Sequence, residues 1–285
     1  MSEKQVALVT GTSSGIGLST ALTLAKAGYQ VIATMRNTAK SDDLRQKAQA
    51  NELELDIQPL DVQDDASVKN AVEYAISTYG RIDLLVNNAG AGYVGTTEQT
   101  SIEDLRRVLD VNLIGVWRMS SAVLPHMRAA KSGRLITVTS IGGLVGQPFN
   151  DAYCAAKFAV EGMMESLAPV VSGMGIHVSV IEPGPVLTKF VENLGGKVQG
   201  GQLAGKEDAY AQPLEAYLQG VVKRFDNLGQ TADDIAEVIL TAAQAERPHF
   251  RYQTSERLQG VIGAKFVDPT GDGQINQTSK LLWPE

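Results

Sequence analysis

Strand-like and helix-like segments alternate along this chain from its first residues to about position 180, and that rhythm leaves few folds open. Gln5–Thr10 reads as a strand and Gly15–Ala27 as a helix with Ile16, Thr20, Leu24 and Ala27 near one face. Gly28 stops that helix before the strand Gln30–Met35. A polar helix over Ser41–Ala50, a strand near Leu53–Leu60 and an amphipathic helix Asp65–Tyr79 follow, the last capped by Asp64 or Asp65 and ended by Gly80. After strand Ile82–Val86, a long helix is expected from Ser101 to about Arg128, with Glu103 and Asp104 in the first turn where the helix dipole favours acids. Strand Arg134–Thr139, helix Ala152–Val171 and strand Gly175–Ile181 complete the series. Successive βα units pair in parallel, because each crossover helix returns the chain to the same end of the sheet. The expected fold is α/β: a single-domain Rossmann-type doubly wound parallel sheet of about seven strands, with helices on both faces.

With 285 residues, such a chain buries about three quarters of its unfolded surface. A net charge of −7 argues against nucleic acid or an anionic membrane as the main partner. Cys154 is the only cysteine, so no intrachain disulfide can form and a reducing compartment fits. No apolar run reaches membrane-span length, and the N-terminal residues enter a strand without a signal-type apolar stretch, so the expected location is cytoplasmic. His126, His177 and His249 are scattered without metal-ligand spacing.

Chemistry concentrates between Ser140 and Lys157, just after the strand Arg134–Thr139. Tyr153 and Lys157 are four apart on a helix and share a face, and the loop carrying Ser140 lies at the carboxyl edge of the sheet, where open α/β sheets hold ligands. Interconverting a carbonyl and an alcohol requires a proton carrier beside the reacting oxygen. A phenol titrating near pH ~10 is too weak an acid at neutrality, but an ammonium about 5 Å away is worth roughly two pK units at an effective dielectric of about 20. Lys157 is thus expected to bring Tyr153 toward a useful range while Ser140 hydrogen-bonds the substrate oxygen. Alone, a Tyr/Lys pair at this spacing is more often an ordinary surface contact, and the rest of the chain has to decide.

The first βα turn is Thr10-Gly11-Thr12-Ser13-Ser14-Gly15-Ile16-Gly17, spaced G-x-x-x-G-x-G. Glycines permit a sharp turn and close approach to a pyrophosphate, and the helix N-terminus supplies N–H groups; a purely structural glycine turn is the other reading. The second strand ends Met35-Arg36-Asn37 with no carboxylate to accept from a ribose 2′-hydroxyl. Arg36, with Ser13 or Ser14, suits a 2′-phosphate, so NADP(H) is expected over NAD(H), unless Arg36 is simply an exposed surface residue.

These residues, together with Asp61-Val62, Asn87-Asn88-Ala89-Gly90, Asn112 and Pro183-Gly184, give the chain a resemblance to the single-domain short-chain dehydrogenases/reductases over roughly residues 4–190. The resemblance implies that Gly11, Ser13, Ser14, Gly15, Ile16 and Gly17 hold the cofactor, that Asp61 and Val62 border its adenine, and that Asn88, Ala89 and Gly90 line its channel. It implies that Pro183, Gly184, Val186 and Thr188 hold the nicotinamide side, and that Tyr153 and Lys157 also touch the cofactor. Ser140, Tyr153, Lys157 and Asn112 become the catalytic set, with Asn112 holding a relay water; a buried Asn satisfied by backbone is the alternative. Within the family, T-G-T-S-S-G-I-G-L, V-I-A-T-M-R-N and Y-C-A-A-K-F-A-V-E-G-M-M-E-S-L resemble hydroxysteroid and retinol dehydrogenases, which implies a bulky apolar alcohol or carbonyl. A β-ketoacyl-thioester reductase and a non-catalytic NADP(H) sensor are the rival functions.

A homodimer or homotetramer is implied by the resemblance, with Val116, Trp117, Val123, Met163, Leu167 and Val170 as apolar surface or, equally, as residues facing the sheet. Beyond Pro183 the pattern loosens. Helices are expected at Val186–Asn193, Pro213–Phe225 and Thr231–Gln244, an edge strand at His249–Tyr252, and a substrate lid over about 187–228 containing the glycine-rich 195–205 stretch. Leu144, Val145, Phe149, Phe190, Val191, Leu194 and Tyr217 are either lining for an apolar substrate or plain core. The extension at about 247–285 holds D-P-T-G-D-G-Q-I-N, read as a turn rather than a calcium loop because Ser279 stands where the bidentate Glu belongs.

Overall fold

The computed structural model describes residues 4–187 and 209–282. Seven parallel strands form one sheet in the order β3-β2-β1-β4-β5-β6-β7. These are β1 (Val6–Thr10), β2 (Gln30–Met35), β3 (Asp56–Pro59), β4 (Leu84–Asn87), β5 (Gly133–Val138), β6 (Ile176–Glu182) and β7 (Arg251–Gln253). Side chains alternate along each strand, so Val6 and Leu8 enter one core while Ala7 and Val9 enter the other. On the first face pack α3 (Asp65–Tyr79), α5 (Gly115–Ala130) and α6 (Asp151–Ser172). On the second pack α1 (Gly15–Lys26), α2 (Asp42–Ala50) and α8 (Ala232–Gln244). Both faces are covered, which is why β1 is buried along its whole length and reads as a continuous apolar run. The order reverses at β1, which pairs with β2 on one side and β4 on the other, opening a crevice at the carboxyl ends.

Local signals operate as expected in several places. The Asp64 carboxylate accepts from the N–H groups of Ala66 and Ser67 to start α3, and Gly80 ends it with φ +75°, a left-handed conformation that favours glycine. Thr231 and Asp234 form a reciprocal capping box on α8.

Other expectations fail. The long helix from Ser101 is three pieces: α4 (Ile102–Leu109), a π-helical turn (Asp110–Ile114) and α5. Val116 and Val123 lie in the core against the sheet, so they offer no surface to another subunit, and Met163 and Leu167 are partly buried against that core. Trp117 and Val170 do face outward, 59% and 64% exposed. Val186 is not helical; it bridges in parallel to Gln230, whose carbonyl accepts from the Leu187 N–H at 2.9 Å, and residues 188–193 of the segment expected at Val186–Asn193, like the glycine-rich 195–205 stretch, lie outside the described residues. The extension folds further than expected, into α9 (Glu256–Phe266) and α10 (Asp272–Leu282). Asp268 makes the intervening turn by accepting from the N–H groups of Thr270, Gly271 and Gly273. Leu258 and Ile262 of α9 bury Ile141, Leu144 and Val145. Tyr217 and Leu218 of α7 (Ala211–Leu228) gather with Phe149, Val94 and Leu282. Leu144, Val145 and Phe149 are thus packed beneath the C-terminal helices, while Phe190, Val191 and Leu194 fall outside the described residues.

Candidate active site

The cleft begins where β1 turns into α1. Gly11 (φ +73°) and Gly15 (φ +58°) occupy the left-handed region, and a methyl on Gly17 would stand 2.3 Å from the Gly11 carbonyl oxygen and 2.4 Å from Asn88 Nδ2. No side chain fits there, so the turn presses its own backbone against the start of α1. Asn88 fastens it by donating from Nδ2 to the carbonyls of Thr10 (2.9 Å) and Gly11 (3.1 Å). The Thr10 hydroxyl accepts from the N–H groups of Asn88 and Ala89, 3.0 and 2.9 Å away. Ser14 at the N-cap of α1 makes no side-chain cap, leaving the first N–H groups to an incoming anion. Ser13, Ser14, Gly15 and Ile16 remain partly accessible beside them. This cradle fits a dinucleotide pyrophosphate.

Neighbouring strand ends supply the rest. Arg36 is exposed just past β2. Asp61 lies past β3 with its carboxylate accepting from the Gln63 N–H, and Val62 packs against Gly115. Pro183 follows β6, and its carbonyl accepts from the Ile141 N–H at 2.8 Å; Gly184 packs on Leu258, and Val186 is buried. Thr188 lies outside the described residues.

Residues 88–90 connect the glycine turn to the reactive end. A methyl on Gly90 would lie 2.9 Å from Asn112 Oδ1 and 3.8 Å from Lys157 Nζ, so the missing side chain leaves room for both groups beside residue 90. Asn112 is fully buried in the π-helical turn. Its Nδ2 donates to the carbonyls of Ala91 (2.9 Å) and Val108 (3.0 Å), and its Oδ1 accepts from the Ala91 N–H. The backbone therefore satisfies both ends of the side chain.

Ser140, Tyr153 and Lys157 converge as their spacing predicts. Ser140 caps a 3₁₀ turn (Ile141–Gly143), accepting from the Gly142 N–H at 3.0 Å, and hydrogen-bonds the Tyr153 side chain. Lys157 lies 5% exposed, with Nζ 5.8 Å from the Tyr153 ring centroid and donating to the Val138 carbonyl at 3.0 Å. The electrostatics differ from the expectation. Burial pushes the Tyr153 phenol up to about 12, with the Ser140 bond pulling the other way, and burial draws Lys157 down to about 8. The lysine does not bring the phenol toward neutrality, because desolvation penalises both charged forms. Cys154, next to the tyrosine, is buried and accepts from the Gln147 N–H at 3.4 Å, a packing role.

Sequence reasoning missed Glu161, Glu182 and Arg251, which meet behind Lys157. Arg251 Nη1 pairs with Glu161 and, at 2.9 Å, with Glu182, while Nη2 reaches Glu165 at 2.6 Å. One available signal was Glu161 itself, four residues past Lys157. Among the described residues there is no cluster of three or more metal-ligating side chains, and no helix long and apolar enough to cross a membrane.

A family profile described as short chain dehydrogenase matches residues 5–199. The chain is 39% identical over 279 residues to 17-beta-hydroxysteroid dehydrogenase type 1 of Homo sapiens, covering 95% of this chain and 84% of that protein. It is 38% identical over 284 residues to retinol dehydrogenase 8 of Bos taurus, covering 97% and 90%. A solved short-chain dehydrogenase from Streptomyces avermitilis superposes with a TM-score of 0.77 at 29% identity, covering 97% of this chain and 98% of that one. With the glycine cradle, the serine–tyrosine–lysine group and these similarities together, the chain belongs to the short-chain dehydrogenase/reductase family, close to the hydroxysteroid and retinol dehydrogenases, and is an oxidoreductase.

Proposed function

We propose that this protein is an NADP(H)-dependent oxidoreductase that interconverts an alcohol and its ketone or aldehyde on a bulky apolar substrate. The observation that carries the reading is the hydrogen bond between Ser140 and Tyr153 with Lys157 over the tyrosine ring, beside the glycine cradle. When bound, the nicotinamide supplies or accepts the hydride. The cradle of Gly11, Ser13, Ser14, Gly15, Ile16 and Gly17 holds the pyrophosphate, with Asp61, Val62, Asn88, Ala89 and Gly90 along the adenosine channel and Pro183, Gly184, Val186 and Thr188 at the nicotinamide end. Ser140 orients the substrate oxygen. Tyr153, kept protonated by burial, donates to that oxygen as it gains charge and recovers the proton from solvent. Lys157 steadies the phenolate left behind and contacts the cofactor ribose, and the second lone pair of Asn112 Oδ1, the one acceptor position its backbone partners leave open, places a water for the proton's return.

Arg36, exposed at the end of β2 where no acid stands, supports the preference for NADP(H). Similarity to enzymes named for hydroxysteroids and retinol supports the apolar substrate. Helices α7, α9 and α10, packed on Leu144, Val145 and Phe149, form its wall, and outward-facing Trp117 and Val170 support assembly as a homodimer or homotetramer.

The test is a panel of hydroxysteroids, retinoids, long-chain aldehydes and β-ketoacyl thioesters, each with NADPH and NADH. Steroid or retinoid turnover with NADPH is expected, and Arg36→Asp should lower the NADPH-over-NADH preference by about 10- to 100-fold. An unchanged preference refutes the Arg36 assignment, and turnover confined to thioesters refutes the substrate class.

A further inference from the structure

Two buried carboxylates behind the catalytic lysine have no role in the chemistry above. Glu182, at the end of β6, is fully buried, and Glu161 on α6 is 3% exposed. Arg251 of β7 bridges them, and Gln253 adds a bond from Nε2 to Glu182 Oε2 at 2.5 Å. Charge counting shows what this cluster lacks. Glu165, the third partner of Arg251, is mostly in water, so two buried negative charges face one guanidinium. Glu161 stands one helical turn beyond Lys157, and helical side chains lean toward the N-terminus, which aims this carboxylate back at the lysine's turn. Its Oε2 takes Arg251; its Oε1 has no hydrogen-bond partner among the described residues, and the Thr139 hydroxyl facing the same carboxyl donates to the Ile181 carbonyl. Lys157 meanwhile has only the neutral Val138 carbonyl as its hydrogen-bond acceptor among the described residues. An uncompensated buried ammonium is costly.

We propose that Glu161, pinned by Arg251, is a positioning residue that keeps Lys157 charged, so that the β7 strand is wired to the proton-transfer site through α6. The second buried carboxylate balances the lysine as the first balances the arginine. The groups facing Glu161 are Lys157 and Glu165 from α6, Glu182 from β6, Arg251 from β7 and Thr139 from the end of β5. Burial and Glu182 raise the Glu161 carboxyl to about 7 while Arg251 and Thr139 lower it, and the Glu161 charge raises Lys157 against its own burial.

The mechanistic consequence rests on the role given to Lys157 above, so the primary readout needs no turnover. Lysine labelled with ¹³C at Cε, with the Lys157 signal assigned by its loss in Lys157→Arg, is titrated in the full chain. In the unsubstituted protein the Lys157 signal should carry a minor step as Glu161 ionises; a single step with no such inflection overturns the proposal. In Glu161→Gln the Lys157 titration should move down by about one pH unit. The alkaline limb of carbonyl reduction should move with it, and Glu161→Asp should restore most of both. A Lys157 titration unmoved in Glu161→Gln, even with lower stability or activity, makes Glu161 merely structural and overturns the proposal. If no carbonyl compound is reduced, the functional reading fails while the titration still decides this one.

Discussion

At Gly17 an added methyl would sit 2.3 Å from the backbone of Gly11; at the other end of the cleft, one guanidinium on β7 gathers carboxylates from β6 and α6. The nucleotide end is made by backbone approaching backbone, with Asn88 and Thr10 stitching β4 to β1. The reactive end is made by side chains that converge from distant parts of the sequence and by buried charge. Geometry of the first kind tolerates no extra atom. Geometry of the second kind holds its protonation states away from their ordinary values: burial keeps the Tyr153 phenol protonated, draws Lys157 down and pushes Glu161 up.

The contrast can be broken at either end. Gly17→Ala should have the larger effect: the turn must open to admit the methyl, and NADPH affinity should fall by about 100-fold or more, read by fluorescence titration, at a stability cost of about 1–3 kcal/mol. Affinity within twofold of the parent would show that the turn yields. Leu258→Ala sharpens the comparison from the other side. It removes a buried contact to Gly184, Leu144 and Val145, so thermal or urea unfolding should report a loss of about 2–4 kcal/mol. NADPH affinity should change less than it does in Gly17→Ala; an equal loss would make the C-terminal helices part of the cofactor site.

The same contrast explains what could be read from the residue order. Gly11, Gly15 and Gly17 announce themselves because only glycine satisfies a left-handed φ or a 2.3 Å approach. Tyr153 and Lys157 sit on one helix, so a spacing of four places them together. The partnership of Glu161 and Arg251 spans 90 residues, and no local rule couples them. The break at Asp110–Ile114 contains neither Pro nor Gly; its cause is tertiary, with Asn112 tied to Ala91 and Gly115 pressed on Val62. Helices α9 and α10 escaped notice because Gly260 and Gly263 dilute the apolar stripe of α9, although Ser255 and Asp268 marked their starts. The expected effect of Lys157 on Tyr153 came from a charge in a uniform dielectric; burial, which residue order does not reveal, reversed it.

The central claim is that Tyr153 passes the proton while the cradle holds the cofactor independently of it, and Tyr153→Phe tests both halves in one comparison. Once a carbonyl substrate is found, the account predicts that kcat falls by about 10²- to 10⁴-fold while NADPH affinity stays within severalfold of the parent. A folded, NADPH-binding Phe variant that reduces the substrate at the parent rate would contradict it.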